Sequence, residues 1–306
     1  MKEIIKKVDK ILLIIALIFI IGGFCVFSYP KVSNYLAEKN QIEAIREYKE
    51  RIVEIDENKL KEEREKAQIY NENLSGDPVH DPFIIGSGYA LPENYMEVLN
   101  FSNDGVMADI EIPKISVSLP IYHGTSDIVL EKGVGHIEST SVPIGGESTL
   151  SVLTGHTGLP SAELFTRLDE LVVGDIFYIN VLNEILTYKV YETKVILPDQ
   201  ISELQIVEGK DLVTLVTCTP YGVNTHRLLV KAERTEYEEY IPEDIEDGSN
   251  STSENKTDKK SKNYYLIGIE IGVVVFCILS NLVLIFIFIK NPKKVINYIK
   301  KFLKKK

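Results

Sequence analysis

Cys218 lies within LVTLVTCTPYGVNTHRLLV, the run from Leu212 to Val230, and Arg227 follows it by nine residues. A cysteine in an apolar run is often a small buried hydrophobe. The same thiol becomes a nucleophile when a base or cation beside it supplies thiolate. The histidines available as that base are His80, His123, His136, His156 and His226. His156, in LTGHTGLPS, stands where an apolar run gives way to glycines, a place from which it can reach a cysteine at another strand end. Acyl transfer also needs a donor for the oxyanion that develops on the attacked carbonyl. Arg227 suits that role if TPYGVNTH turns the chain back alongside Cys218. Each residue keeps an ordinary alternative: a packed thiol, a turn histidine, a surface arginine. No HExxH, paired CxxC, GxGxxG or GxxxxGK[ST] pattern occurs, so no metal and no cofactor is expected.

These side chains need strands to hold them. From about Gly105 the sequence becomes β-rich: VMADIEIPKISVSLPIYHG, STLSVLTGHTG, DIFYINVLNEILTYKVYETKVIL, DLVTLVTCT and HRLLVKAERTE, bounded by turn signals such as Gly145-Gly146 and Pro198-Asp199. This spacing predicts a mainly β domain over 105–240, an antiparallel barrel or sandwich. Ser161 to Leu171, SAELFTRLDEL, reads as a short helix with Ser161 as its N-cap. Asn34 to Leu74 lacks Pro and Gly and is rich in Glu, Lys, Ala, Ile and Leu, which predicts one or two helices over 30–74. SGDPVHDPF (Ser75 to Phe83) breaks that pattern with two Asp-Pro pairs and begins a connector over 75–104. Residues 241–263 are polar and read as a flexible linker.

Two apolar segments bracket this domain. Ile11 to Phe27 is uncharged and follows Lys2, Lys6, Lys7 and Lys10. Leu266 to Ile289 has 24 residues with Glu270 as its one charge. About 20 apolar residues cross a bilayer as a helix. The first segment could instead be a signal peptide, but GGFCVFSYP offers no small-residue cleavage site, so anchors over 11–29 and 264–289 are expected. Basic tails at 1–10 and 290–306, the latter with eight lysines and no acid, place both termini in the cytoplasm and the middle outside. The chain carries a formal charge of −11; with +2 in the first 30 residues and +8 in residues 290–306, the stretch between carries −21. Such an acidic domain does not attract nucleic acid. Cys25 and Cys277 fall in the apolar segments, which leaves Cys218 as the one extracytoplasmic thiol.

TLVTC with Arg227 nine residues on resembles the signature of sortases, cysteine transpeptidases of Gram-positive surfaces. LTGHTGLPSAELF is similar to their histidine motif, and VGHIESTSVPIGGEST to a stretch found in class C, the pilin-polymerising sortases. The two apolar segments with a basic tail resemble that class in layout, and Asp81-Pro82-Phe83 matches its Asp-Pro-aromatic lid. The resemblance covers about residues 75–240 by motif. It implies an eight-stranded sortase β-barrel with N-terminal helices and a lid, flanked by two transmembrane helices in a two-pass cell-membrane protein. Cys218 would attack the threonine carbonyl of an LPxTG-like signal in a pilin or other surface protein. His156 would be its acid–base or ion-pair partner, and Arg227 would hold substrate and stabilise the oxyanion. The lysine amine of a second pilin would take the acyl group as an isopeptide bond. Alternatives are a sortase that anchors single proteins to peptidoglycan, a Cys-His peptidase or L,D-transpeptidase, and a membrane-anchored sensor or scaffold in which Cys218 only packs.

Overall fold

The computed structural model describes residues 2–74, 95–101 and 104–242. Asp81, Pro82 and Phe83, His80, and the second apolar segment lie outside the described residues. The chain divides into two units, one of residues 1–28 with 243–306 and one of residues 29–242.

The described part of the first unit is the start of helix α1 (Lys2–Glu54). Within the described residues one helical stretch, Leu17–Glu54, is long and apolar enough to cross a membrane. Ile18, Phe19, Val26 and Phe27 turn their side chains outward, as a lipid-facing helix would.

The second unit holds the rest of α1, helix α2 (Glu57–Glu72) and the strands. The helical stretch expected after residue 30 is thus two helices, the first continuous with the apolar segment before it, with Pro30 inside it. The break falls at Asp56, whose carboxylate accepts from the Asn58 N–H at 2.9 Å and caps α2. Both helices pack on the barrel. Tyr48 and Ile52 of α1 cluster with Val106, and Lys49 reaches the buried carboxylate of Asp109 at 3.3 Å. Near the end of α2 the Asn71 side chain acts as a strand partner: it donates to Val142 O at 3.2 Å and accepts from Val142 N at 2.8 Å.

The strands are β1 (Val106–Ile112), β2 (Val117–His123), β3 (Val134–His136), β4 (Thr149–Thr154), β5 (Ile176–Val181), β6 (Glu184–Ile196), β7 (Asp211–Thr219) and β8 (His226–Thr235). They close into one barrel in the order β1-β2-β3-β4-β7-β8-β6-β5. The expected all-antiparallel pairing is corrected at two places: β2–β3 and β4–β7 are parallel. A parallel pair cannot be joined by a hairpin and needs a crossover. The short helix α3 (Asp127–Leu130) forms part of the first, and β5 and β6 lie within the second.

Two apolar layers follow from strand alternation. Val213, Leu215, Leu228 and Val230 join Leu153, Phe177 and Tyr188 in the barrel interior. The alternate residues Leu212, Val216 and Leu229 face outward with Val152 and Ile196. Leu204, from the β6–β7 connection, covers that outer layer. Glu203 beside it is tied to Lys194 at 2.6 Å and to Lys231 at 2.9 Å.

Candidate active site

The register of three adjacent strands builds the site. β7 and β8 pair antiparallel, with Cys218 directly opposite Arg227. Opposed residues project to the same face, with Cβ atoms about 5 Å apart. Cys218 alternates with Val216 and Arg227 with Leu229, so both belong to the outer layer rather than the barrel interior. On the other side of β7, β4 runs parallel with Thr154 opposite Val216. The ladder extends one step past β4: Gly155 N donates to Val216 O at 3.2 Å, and Thr217 Oγ1 donates to Gly155 O at 2.7 Å. His156, the next residue, therefore leaves the strand level with Cys218. The three residues singled out in the sequence stand in a row, His156–Cys218–Arg227, at one end of the barrel.

Local packing keeps them there. Cys218 is 8% exposed and Arg227 6%. Arg227 Nη1 donates to Asn224 O and to His226 O, both at 3.1 Å, which holds the guanidinium against the β7–β8 turn. Gly155 lets the chain pass close to Phe165: a Cβ there would lie 2.9 Å from that ring, which is fully buried. The Phe165 N–H donates to His156 O at 3.1 Å. These contacts correct the helix expected over Ser161–Leu171. The segment is a run of turns ending in a 3-10 turn at Leu168–Glu170. Leu164 takes a positive φ of 42°, and the Phe165 N–H serves His156 instead of a helical carbonyl. Gly158, with φ +71°, lies beneath the ring of Tyr221, so the loops after β4 and β7 meet beside the row.

Burial lowers the pKa of His156 and favours neutral imidazole, while the Asp127 and Glu131 carboxylates act in the opposite sense. A neutral imidazole can take a proton from the thiol beside it. Asp127 and Glu131 were not singled out in the sequence. The signal available was their four-residue spacing after Ser126, which puts two carboxylates on one face of α3.

The other histidines separate cleanly. His136 is fully buried: Nδ1 lies 3.0 Å from the Tyr95 hydroxyl and Nε2 2.8 Å from Ser141 O, and burial pushes its pKa down to about 3. His123 is held between Gly105 O and Val98 O. Both belong to the scaffold. His226 sits at the start of β8 opposite Thr219. No cluster of metal-ligating side chains occurs among the described residues.

With this geometry in place, similarity to known proteins is decisive. Residues 110–235 match the sortase domain. The crystal structure of sortase C-1 from Actinomyces oris is 49% identical over 59% of this chain and 99% of its own, with a TM-score of 0.55. This chain belongs to the sortase family. Sortase C of Streptococcus pneumoniae is 39% identical over 65% of this chain and all of its own, with a TM-score of 0.59. Both of these solved structures similar to this sortase are sortases of class C. Among curated proteins, sortase D of Bacillus subtilis is 36% identical over 37% of this chain. The chain spans about half the length of the first curated relatives it matches, 54% of that sortase D and 52% of a Streptococcus agalactiae sortase A.

Proposed function

We propose that this sortase is a class C-type cysteine transpeptidase that joins pilin subunits. The observation that carries the reading is the row His156–Cys218–Arg227 set by the β4–β7–β8 register. Its similarity to class C structures supports the choice of class. In the first half-reaction the Cys218 sulfur attacks the threonine carbonyl of an LPxTG-like signal while His156 takes the thiol proton. Arg227, at the same level, stabilises the oxyanion that forms. The C–N bond then breaks, His156 returns the proton to the leaving amine, and a thioester remains on Cys218. In the second half a lysine amine of another pilin attacks the thioester. Its proton passes by way of His156 to the departing sulfur, and an isopeptide bond results. One amide replaces another, so no ATP is required.

The proposal includes the parts that lie outside the described residues. Asp81, Pro82 and Phe83 form a lid in which Asp81 pairs with Arg227 and Phe83 covers the Cys218 sulfur, a sulfur–aromatic contact. The protein crosses the membrane twice, with both termini in the cytoplasm and the barrel outside.

The test uses the full chain in detergent with a purified pilin that ends in an LPxTG signal. A ladder of SDS-resistant polymers is expected, and none with Cys218→Ala. Cleavage without joining would replace this reading with a peptidase. Joining to peptidoglycan precursor alone would make it a sortase that anchors single proteins.

A further inference from the structure

The β3–β4 register carries more than the row itself. Gly135 pairs with Thr154 and His136 with Leu153, antiparallel. Continued past the end of β4, this register brings His156 opposite Gly133, two residues after Glu131. Helix α3 is seated against that point. Leu130 is buried, and a Cβ on Gly135 would lie 2.9 Å from it. A Cβ on Gly133 would lie 2.7 Å from Pro120 O, so the chain between α3 and β3 runs tight on β2. The carbonyl of Lys132 accepts from Gln41 Nε2 at 3.1 Å, which fixes the same turn to α1. Asp127 and Glu131 are joined by the bond from Glu131 N to Asp127 O at 2.9 Å, which places both carboxylates on one face. Both side chains are exposed, and neither forms an ion pair among the described residues.

We propose that Asp127 and Glu131 are positioning residues for the reaction: two carboxylates on α3 that stabilise the imidazolium His156 becomes when it takes the Cys218 proton. The assignment rests on the transpeptidase reading above. Among the described residues, the titratable and charged groups placed around His156 include Asp127 and Glu131 from α3, Cys218 from β7, Arg227 from β8 and Tyr221 from the β7–β8 turn. Of these the α3 carboxylates favour a positive ring, as does the Cys218 sulfur once it has given up its proton. Burial opposes that charge, and the carboxylates offset part of the cost. They act across solvent-exposed space, so salt weakens them. The arrangement supplies the orientation and charge support that a third group gives a nucleophile–histidine pair, here from a neighbouring helix with no direct bond required.

The test compares the full chain in detergent, labelled with 13C at the histidine rings, with Asp127→Asn/Glu131→Gln and the charge-keeping Asp127→Glu/Glu131→Asp. The His156 resonance is assigned by its loss in His156→Gln. In the Asn/Gln variant its titration moves to lower pH, and in the charge-keeping variant it returns towards the wild-type position. Added salt moves the wild type towards the Asn/Gln variant. With an LPxTG peptide and a lysine-bearing acceptor, kcat of the Asn/Gln variant falls roughly two- to tenfold at neutral pH while KM holds, the size expected for partial loss of support to an acid–base group. An unmoved His156 titration overturns the proposal whatever the activity. A moved titration with no acyl transfer by the wild type upholds the electrostatic contact and overturns the transpeptidase reading.

Discussion

At the scale of single residues, the barrel holds two kinds of histidine that look alike in sequence. His156 is half-buried at a strand end beside a thiol, whereas His136 is enclosed with both ring nitrogens bonded. That difference has a pH signature. The folded pKa of His136, about 3, lies below the unfolded value of about 6.5, so the unfolded state binds more protons between those two pH values. The stabilisation is complete above about pH 6.5 and is lost as pH falls towards 3. His136→Gln is expected to lower stability by about 1–3 kcal/mol at pH 7 through the broken Tyr95 and Ser141 bonds. It is also expected to flatten the acid slope. Chemical denaturation at pH 7, 5 and 4 checks this; an unchanged slope would remove His136 as its source. Cys218 and Arg227 illustrate a different lesson. Each is nearly buried, as an ordinary strand residue would be, and only their pairing with one another distinguishes them.

At the scale of elements, the geometry of the row depends on how the β4 end is held. The contact between Gly155 and Phe165 is a tight one, and it lies one residue from His156. Gly155→Ala places a methyl group against a fully buried ring, and overpacking of this kind costs about 1–3 kcal/mol. Because Phe165 N also bonds His156 O, relief of the clash must shift either the ring or the histidine backbone. The variant is therefore expected to lose activity out of proportion to stability: a fall in melting temperature of several degrees with a loss of at least tenfold in turnover. Thermal melting and turnover measured on one preparation check it. Wild-type turnover in a variant that melts lower would show that the loop accommodates the methyl group without moving His156. The β6–β7 connection does comparable work on the other flank. Burying Leu204 contributes about 2 kcal/mol, and Glu203 adds links to Lys194 and Lys231.

At the scale of the whole molecule, the helices that precede the barrel are part of its packing. Tyr48 and Ile52 are buried against it, and Lys49 meets the buried Asp109 carboxylate. Removal of Lys49 would leave that carboxylate without its cation. The proposed two-pass arrangement makes a separate prediction. A protease site placed after Lys306 is expected to resist added protease in intact cells and to be cut once the membrane is opened. Cleavage in intact cells would put the carboxyl terminus outside and reduce the topology to a single span.

Much of this protein is legible in its residues taken in order. Alternation marks the long strands, apolarity marks the first segment suited to a membrane, and the spacing of Cys218 to Arg227 marks a hairpin that sets the two residues opposite one another. These features are local, and local sequence encodes them through side-chain period and turn chemistry. The parallel β4–β7 pairing, which sets His156 level with Cys218, joins residues about sixty positions apart and leaves no periodic trace. The turns of residues 161–167 replaced an expected helix because Phe165 is drawn to Gly155 and its N–H to His156 O. The α3 carboxylates became relevant only when β3 carried their helix to the end of β4. Each of these depends on contacts between segments distant in sequence, whose free energy exists only after the barrel has closed.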